Sequence, residues 1–358
     1  MPAPTRADRN RRLAADFRLG KRPALARAIS MVEGRRPGVA DLLQELLLAR
    51  PQARRFGITG PPGAGKSSLV AGLATLLRGR GEEVAIVAVD PTSPYSGGAL
   101  LGDRIRMNDL ATDPGIFIRS MATRGSLGGL AATTREVVDL LDAFGFPNVL
   151  VETVGVGQTE LEIASAADSV AVVLVPESGD GIQAMKAGLM EIADLFVVNK
   201  ADRVGADRMV REIRQALALR AGHGMQGVPA HHGVDLTRLG GAEEEPGAAD
   251  VTAWDIPVLK TSAGRGEGIE GFLDGLVAHN RYLNESGVLA ERRERRARSR
   301  LRDVIVGRLR GRAEAFLASN PDLPGRIADI AAGRATTYGV ADELIPAILK
   351  GAEKSGHG

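Results

Sequence analysis

The sequence of 358 residues contains no cysteine. This absence excludes a disulfide scaffold, a thiol nucleophile, an iron–sulfur cluster and any cysteine-ligated zinc or nickel site. The longest unbroken apolar runs, residues 84–89 and 170–175, are six residues each, far short of the ~20 that span a bilayer. The first residues are polar and rich in arginine, without the apolar segment of a secretory signal. We therefore expect a cytoplasmic protein with no membrane partner.

The chain also has little net charge and few lysines. Lysine and arginine number 46 against 44 acidic residues, so the formal net charge is +2, too small to indicate nucleic-acid binding by itself. Apolar residues make up 44% and charged residues 25%, which is an ordinary globular composition. Only seven of the cations are lysines. Because arginine is the usual cation of this chain, a lysine indicates a position that needs a compact ammonium group.

Patterns along the chain separate three regions. Residues 1–50 have helical spacing and form an N-terminal extension; residues 51–282 alternate short β-rich runs with helical patterns; residues 283–358 are helical again. A Gly/Ala/Pro-rich stretch at residues 222–255 is too polar for a core element and is interpreted as a surface insertion.

The predicted strands are mostly uniformly apolar, as expected of strands covered on both faces: residues 55–59, 84–89, 116–118, 148–151, 169–175, 195–198 and 257–259. Alternation of strands with helices predicts an α/β fold, a doubly wound and mostly parallel sheet with helical N- and C-terminal extensions.

A phosphate-binding motif follows the first predicted strand. The pattern G-x-x-x-x-G-K-S is matched in full by Gly60, Pro61, Pro62, Gly63, Ala64, Gly65, Lys66 and Ser67, and Ser68 continues into a predicted helix. The backbone N–H groups of such a loop surround a β-phosphate at a helix N-terminus. Lys66 is expected to reach the β- and γ-phosphates, and the Ser67 hydroxyl to bind Mg²⁺. The motif predicts nucleoside triphosphate binding.

A second motif indicates the base. Asn199, Lys200 and Asp202 form N-K-x-D directly after a predicted strand. A carboxylate at Asp202 can accept hydrogen bonds from N1–H and the exocyclic amine of guanine, a donor pair that adenine lacks. Lys200 can lie along the base, and Asn199 can tie this loop to the phosphate loop. Ser262 and Ala263 follow another strand, where a backbone N–H can contact the guanine O6. The pair of motifs indicates GTP rather than ATP.

Three acidic residues follow strands or lie in a glycine-rich segment. Asp90 ends one strand, Asp103 follows the run Leu101-Gly102, and Glu152 begins the sequence Glu-Thr-Val-Gly where many GTPases have D-x-x-G. Ligands of doubly wound sheets lie at the carboxyl ends of the strands. These carboxylates are therefore candidates for the phosphate side of the site.

Four longer segments resemble a known family. Residues 89–94, 96–107, 123–130 and 152–158, taken together, are similar to the methylmalonyl-CoA mutase-associated GTPases, the MeaB/ArgK group that includes the human cobalamin-A-type protein. This group belongs to the SIMIBI-type P-loop GTPases and carries Glu in place of Asp in the third motif. The resemblance covers about residues 20–350 and is weakest in the 222–255 insertion.

The resemblance implies a GTP-hydrolysing chaperone of an adenosylcobalamin-dependent acyl-CoA mutase. Such proteins gate cofactor loading and protect the mutase from inactivation. By this resemblance the magnesium-side acids are Asp90, Asp103 and Glu152, beside Ser67, and the catalytic set is Lys66, Asp103 and Glu152. A third mobile segment falls on residues 177–186. The cofactors implied are GTP/GDP and Mg²⁺, and the C-terminal helices resemble the arm through which the family forms homodimers.

Other interpretations remain open at this point. A metallochaperone GTPase of the same wider family would serve another metalloenzyme, although a chain without cysteine is poorly equipped to transfer a soft metal. A binding switch would hold GTP without hydrolysing it. Seven arginines at residues 291–302 could contact nucleic acid, but no aromatic residues interleave for base stacking. We interpret that stretch as a solvated helix face with Glu–Arg pairs, and expect no nucleic-acid partner.

Overall fold

The computed structural model describes residues 5–47, 51–90, 110–122, 129–153, 163–176, 188–220 and 254–350. The chain divides into two compact units, Met1–Ala290 and Glu291–Gly358. No helix within the described ranges is long and apolar enough to cross a membrane.

The first unit is built on a seven-stranded sheet in which every strand pairing is parallel. The strands are β1 (Arg54–Thr59), β2 (Val84–Asp90), β3 (Ile116–Ala122), β4 (Asn148–Thr153), β5 (Ser169–Leu174), β6 (Leu195–Val198) and β7 (Val258–Lys260). Their order across the sheet is β3-β2-β4-β1-β5-β6-β7. The doubly wound parallel fold and its seven strands confirm the prediction from the sequence.

Helices flank the sheet and continue into the second unit. They are α1 (Arg6–Arg18), α2 (Arg22–Glu33), α3 (Val39–Leu46), α4 (Lys66–Gly79), α5 (Gly129–Phe144), α6 (Met190–Ile192), α7 (Ala206–Arg220), α8 (Ile269–Glu285), α9 (Val288–Ser319), α10 (Leu323–Ala331) and α11 (Thr337–Lys350). Single 3-10 turns occur at Leu110–Thr112, Ile163–Ser165 and Ala263–Arg265.

Both faces of the sheet are buried, which explains why the strands are apolar without alternation. In β5, Val170 packs in the cluster formed with α1, α2, α3 and α5, whereas Ala171 packs in the cluster of α4 and α8. The next residue on the first face, Val172, packs with α7. Because successive side chains of a strand point to opposite faces, helices lie on both sides of the sheet.

The N-terminal helices share the core of the sheet. Leu25 and Ile29 of α2 are fully buried in the same cluster as Val87 of β2 and Val149 of β4. The sequence predicts residues 1–50 as an N-terminal helical extension, and within it α2 packs against α5 and the strands beneath it.

The edge strand β3 is four residues longer than the sequence predicted. Arg119 and Ser120 interrupt the apolar run, yet both remain in register with Val87 and Ala88 of β2. The Arg119 guanidinium donates a hydrogen bond of 2.9 Å to Glu33 of α2. A salt bridge to a covering helix therefore allows a charged residue inside this strand, a contact that a local apolar pattern does not reveal.

The second unit consists of α10, α11 and α9 from Glu291 onward, with α10 and α11 joined by an ion pair of 2.9 Å between Arg326 and Glu343. On α9, Arg298 pairs with Glu294 at i,i+4 spacing, at 3.1 Å, the arrangement expected of a solvated helix face. Large apolar side chains are exposed on these helices: Leu301, Val304, Ile305, Val306, Leu309, Ile327, Ile345 and Leu349.

A buried ion pair fixes the start of β1 against α5. The Arg55 guanidinium lies 2.7 Å from Asp142 and 2.8 Å from Asp139. Burial alone would lower the pKa of Arg55, but the two carboxylates outweigh it and raise that pKa above its ordinary value. Asp142 also accepts hydrogen bonds from the backbone N–H groups of Gln52 and Ala53, at 2.9 and 3.0 Å.

Substitution Asp142→Ala should lower the free energy of unfolding by about 3 kcal/mol or more, because it leaves a buried guanidinium short of one partner and removes the acceptor of two N–H groups. The matched control is Asp274→Ala, which removes an exposed ion pair with Arg80 and should cost less than about 1 kcal/mol. Urea denaturation measures both. Equal losses in the two variants would contradict the assignment of Asp142.

Candidate nucleotide-binding site

The glycine-rich loop joins the carboxyl end of β1 to the N-terminus of α4, where Gly65 is the N-cap residue. Gly60, Gly63 and Gly65 all have positive φ values, of 136°, 74° and 86°. At Gly60 a Cβ atom would lie only 2.1 Å from the carbonyl oxygen of Val173. The loop therefore requires glycine both for its backbone conformation and for its close approach to β5.

Lys66 is held inside this loop. Its ammonium group donates hydrogen bonds to the carbonyl oxygens of Gly60, at 2.8 Å, and Pro61, at 2.9 Å. The residue is 5% exposed. A buried lysine bonded to the loop that it belongs to is poised to meet phosphate oxygens entering the same space.

Ser67 and Glu152 connect α4 to the end of β4. The Ser67 hydroxyl donates a hydrogen bond of 2.6 Å to Oε1 of Glu152, and both side chains are buried. The next residue of β4, Thr153, lies with its hydroxyl 2.8 Å from that of Thr59, the last residue of β1. Two adjacent side chains of β4 are thus bonded to the two ends of the phosphate loop. The hydroxyl and carboxylate oxygens of Ser67 and Glu152 are the hard donors that suit Mg²⁺.

The buried side chain of Asn199 joins three loops. Its amide donates a hydrogen bond of 2.8 Å to the carbonyl oxygen of Ala64 in the phosphate loop. Its carbonyl oxygen accepts from the Thr261 hydroxyl and from the Ala263 N–H, each at 3.1 Å. The tie between Asn199 and the phosphate loop expected from the sequence is therefore present in the structure.

Asp202 lies where it can meet a base. Its carboxylate accepts a hydrogen bond of 2.7 Å from the Ser262 hydroxyl, and the Arg265 guanidinium is 3.7 Å away. The Ser262 hydrogen bond, a backbone N–H and then the nearby charge of Arg265 hold the pKa of Asp202 below its ordinary value. At neutral pH this side chain is therefore an ionised acceptor. The preceding Lys200 has a left-handed backbone, with φ of 56°, which is uncommon for a residue other than glycine.

Comparison with known proteins agrees with this geometry. Residues 25–317 match the family model described as Methylmalonyl Co-A mutase-associated GTPase MeaB. The chain belongs to the MeaB family. A putative GTPase of Pyrococcus abyssi is 41% identical over 332 residues, covering 93% of this chain and 94% of that protein. The mouse mitochondrial methylmalonic aciduria type A homolog is 35% identical, over 77% of this chain and 64% of that protein.

A solved structure gives the same result for the fold. The crystal structure of a LAO/AO transport system kinase is similar with a TM-score of 0.64 and 25% identity, covering 97% of this chain and all of that one. Together with relatives that are named as GTPases, the match shows a P-loop GTPase that binds guanine nucleotide.

Most of the residues predicted for the MeaB-family site lie along one edge of the sheet. The residues that the structure brings together at the carboxyl ends of β1, β4, β6 and β7 are Gly60, Pro61, Pro62, Gly63, Ala64, Gly65, Lys66, Ser67, Ser68, Glu152, Asn199, Lys200, Asp202, Ser262 and Ala263. Asp90 ends β2 at the same edge, but its side chain is outside the described residues, as are Asp103, Gln158, residues 177–186 and nearly all of the 222–255 insertion.

Sequence reasoning missed three contacts of this site. The Thr59–Thr153 pair, the Thr261 hydroxyl on Asn199 and the approach of Arg265 to Asp202 all join residues from different strands or loops. Thr59 is the last residue of its predicted strand, but the predicted fourth strand ended at residue 151, two residues short of the observed end at Thr153, so no local signal indicated this pair. Thr261 directly precedes Ser262 and Ala263, the residues that the sequence analysis assigned to contact with the base, and this neighbourhood was the available signal.

The geometry predicts that Asp202 selects the base. In the variant Asp202→Asn, an amide N–H₂ would face the guanine amine, so affinity for GDP should fall roughly 100-fold or more. A xanthine nucleotide, which carries a carbonyl at the amine position, should bind better to the variant than to the parent protein. Fluorescent GDP and XDP analogues measure both affinities.

Lys66→Ala provides the contrast. Lys66 belongs to the loop that is predicted to hold the phosphates, which both nucleotides share, so its loss should weaken the binding of both alike. If Asp202→Asn kept its guanine affinity and gained none for xanthine, Asp202 would not be the base-reading residue.

Proposed function

We propose that this MeaB-family GTPase is a chaperone of an adenosylcobalamin-dependent acyl-CoA mutase of the methylmalonyl-CoA mutase type. In this role GTP binding and hydrolysis gate the loading of the mutase cofactor and protect the mutase from inactivation. The observation that carries the proposal is the family match over residues 25–317, whose description names association with methylmalonyl-CoA mutase. The name of the mouse relative, which refers to methylmalonic aciduria, points to the same metabolic step.

The site geometry supports a nucleotide-dependent switch. Glu152, near the end of β4, accepts a hydrogen bond from Ser67 at the start of α4. A change at the γ-phosphate that moves Ser67 would therefore be transmitted through this hydrogen bond to the end of β4. Such a contact is suited to relay the nucleotide state to a partner protein.

We assign roles to the site residues on this basis. Lys66 neutralises charge on the β- and γ-phosphates, the backbone N–H groups of residues 60–68 surround them, and Asn199 with Asp202, Lys200, Ser262 and Ala263 holds the base. Ser67 and Glu152, with Asp90 and Asp103, would hold Mg²⁺. When bound, this ion supplies positive charge to the transferring phosphoryl group.

The metallochaperone alternative is less well supported. Transfer of a soft metal calls for thiolate or clustered imidazole ligands. The chain has no cysteine, and its adjacent histidines, His231 and His232, lie outside the described residues. The MeaB family match favours the mutase chaperone.

Intrinsic GTP hydrolysis should be slow, and the client mutase should accelerate it. GTPases that position water with glutamine carry it directly after the glycine of D-x-x-G, but here Val156 follows Gly155 and Gln158 comes two positions later. A water-positioning group would then be completed only when the partner binds. Single-turnover hydrolysis with and without the cognate mutase measures the effect. A fast rate that the mutase leaves unchanged and that Gln158→Ala abolishes would contradict partner assembly.

The client itself is identified by co-purification from the native host with GDP or a non-hydrolysable GTP analogue present. Recovery of an adenosylcobalamin-dependent acyl-CoA mutase supports the proposal, and its failure to bind in either nucleotide state contradicts it. Which acyl-CoA the mutase uses is read from the enzyme recovered.

We also propose that the chain forms a homodimer through its C-terminal helices. Leu301, Ile305 and Leu309 are exposed at four-residue spacing and so form one stripe on α9. An exposed apolar stripe on a helix indicates a protein contact. Ile345 and Leu349 of α11 are also exposed and likewise four residues apart.

Light scattering at micromolar protein in moderate salt should give twice the chain mass of 37.6 kDa. The variant Leu301→Glu/Ile305→Glu should give a monomer, because burying carboxylates is costly. The control Val204→Glu changes a residue of the first unit that is 98% exposed and should stay dimeric. A monomeric mass for the unmodified protein would overturn the dimer.

A further inference from the structure

The first unit contains a second concave site, between α1, α2 and the turn before α3. Its volume is about 870 Å³, within the range of small-molecule sites. Five arginines line it: Arg6, Arg9 and Arg12 from α1, Arg27 from α2, and Arg36 from the turn. Two carboxylates, Asp8 and Asp16, also line the cavity, so its lining carries an excess of three positive charges.

Both carboxylates are already engaged by groups that do not line the cavity. Asp8 lies 2.7 Å from the Arg11 guanidinium and accepts a hydrogen bond of 2.6 Å from the Thr5 hydroxyl. Asp16 lies 2.6 Å from the Lys21 ammonium. Asp16 is also near enough to Arg12 for that charge to help lower its pKa, so the two acids offset only part of the positive charge of the cavity.

Three of the arginines have no acidic partner in the part of the chain that the structure describes. Within the described residues, the guanidinium groups of Arg6, Arg27 and Arg36 make neither a hydrogen bond nor an ion pair. Arginine is the default cation of this chain, so its identity alone indicates little. The informative feature is that guanidinium groups from three separate segments, with no partner among the described residues, line one concave surface, where their positive charge favours the binding of an anion.

The walls of the cavity are fixed by local structure. Asn10 donates a hydrogen bond of 2.9 Å to the carbonyl oxygen of Gly38, and the Arg36 N–H donates one of 3.0 Å to Met31 at the end of α2. Gly38 has a positive φ of 86°, and a Cβ atom there would meet Arg6 at 3.0 Å. The turn and α1 are therefore held close together, with arginines from both lining the same space.

The cavity is independent of the nucleotide site. Its residues belong to the helices that pack on the α5 face of the sheet, whereas α4, which begins at the phosphate loop, packs on the other face. No residue of the phosphate loop or of the Asn199–Asp202 motif lines it.

We propose that this cavity binds a small organic molecule carrying two or more phosphate groups. Guanidinium groups match phosphate oxygens with paired, charge-assisted hydrogen bonds. The apolar side chains of Leu13, Met31 and Pro37 in the lining suit the non-phosphate part of such a molecule. A partly open concave space of this size suits one small molecule, whereas an acidic peptide bound in extended form would require a longer groove. The inference does not depend on the proposed mutase partner.

The test is a binding titration on the full chain saturated with GDP, so that the phosphate loop is filled. The probes are coenzyme A, inorganic tripolyphosphate and a hexaglutamate peptide. Coenzyme A should bind, tripolyphosphate should bind more weakly because it lacks an apolar part, and both should weaken as salt is raised. In Arg27→Gln/Arg36→Gln, affinity for coenzyme A should fall roughly tenfold or more, since charge-assisted hydrogen bonds are lost.

The matched control is Arg214→Gln/Arg281→Gln, which removes the same charge from exposed arginines elsewhere in the first unit and should leave binding unchanged. Equal GDP affinity in both variants shows that each is folded. The proposal is overturned if coenzyme A and tripolyphosphate fail to bind the GDP-saturated protein, if both double variants lose binding equally, or if only hexaglutamate binds.

Discussion

The site depends on one buried amide. A parallel sheet brings the ends of its strands to one edge, but it does not by itself fix the loops that leave those strands. Asn199 does this by using both halves of its side chain, one toward the phosphate loop at Ala64 and the other toward Thr261 and Ala263. The folded state loses stability when a buried amide is left without one of its partners. The base-binding loop and the phosphate loop are therefore held in one relative position. A Cβ at residue 65 would lie 2.4 Å from this amide, which makes Gly65 part of the same constraint.

On the other side of β1, two hydroxyl contacts extend the constraint to β4. Ser67 meets Glu152, and Thr59 meets Thr153, so one strand is bonded to both the entry and the exit of the phosphate loop. Buried hydrogen bonds of this kind have few alternative arrangements, which suits a switch with discrete states. The Glu in place of the more common Asp at residue 152 is one methylene longer, and in this structure its carboxylate reaches the Ser67 hydroxyl directly.

The sequence was sufficient to predict the sheet and the loops of the site, because both depend on local sequence patterns. Apolar runs predicted every strand, and glycine spacing predicted the phosphate loop. It was insufficient wherever a contact joins distant residues. Arg119 inside β3 is bonded to Glu33 and Ser30 of α2, which are far away in the chain. Thr59 and Thr153 carry no signal until the strand order is known. The arginine-lined cavity was missed for the same reason, since residues 6 and 36 meet only through helix packing.

The arginines of this chain differ in their acidic partners. Some form ion pairs within the fold, and others line the cavity that we propose as an anion site. Arg55 is buried and balanced by two carboxylates, and its raised pKa reflects that balance. Arg298 and Arg310 each face a glutamate four residues away, on the surface of α9. Arg27 and Arg36 differ from both groups, because they line a concave space whose carboxylates are bonded elsewhere. A folded chain gains little from concentrating like charges there, and the anion that we propose to bind between them would offset their repulsion.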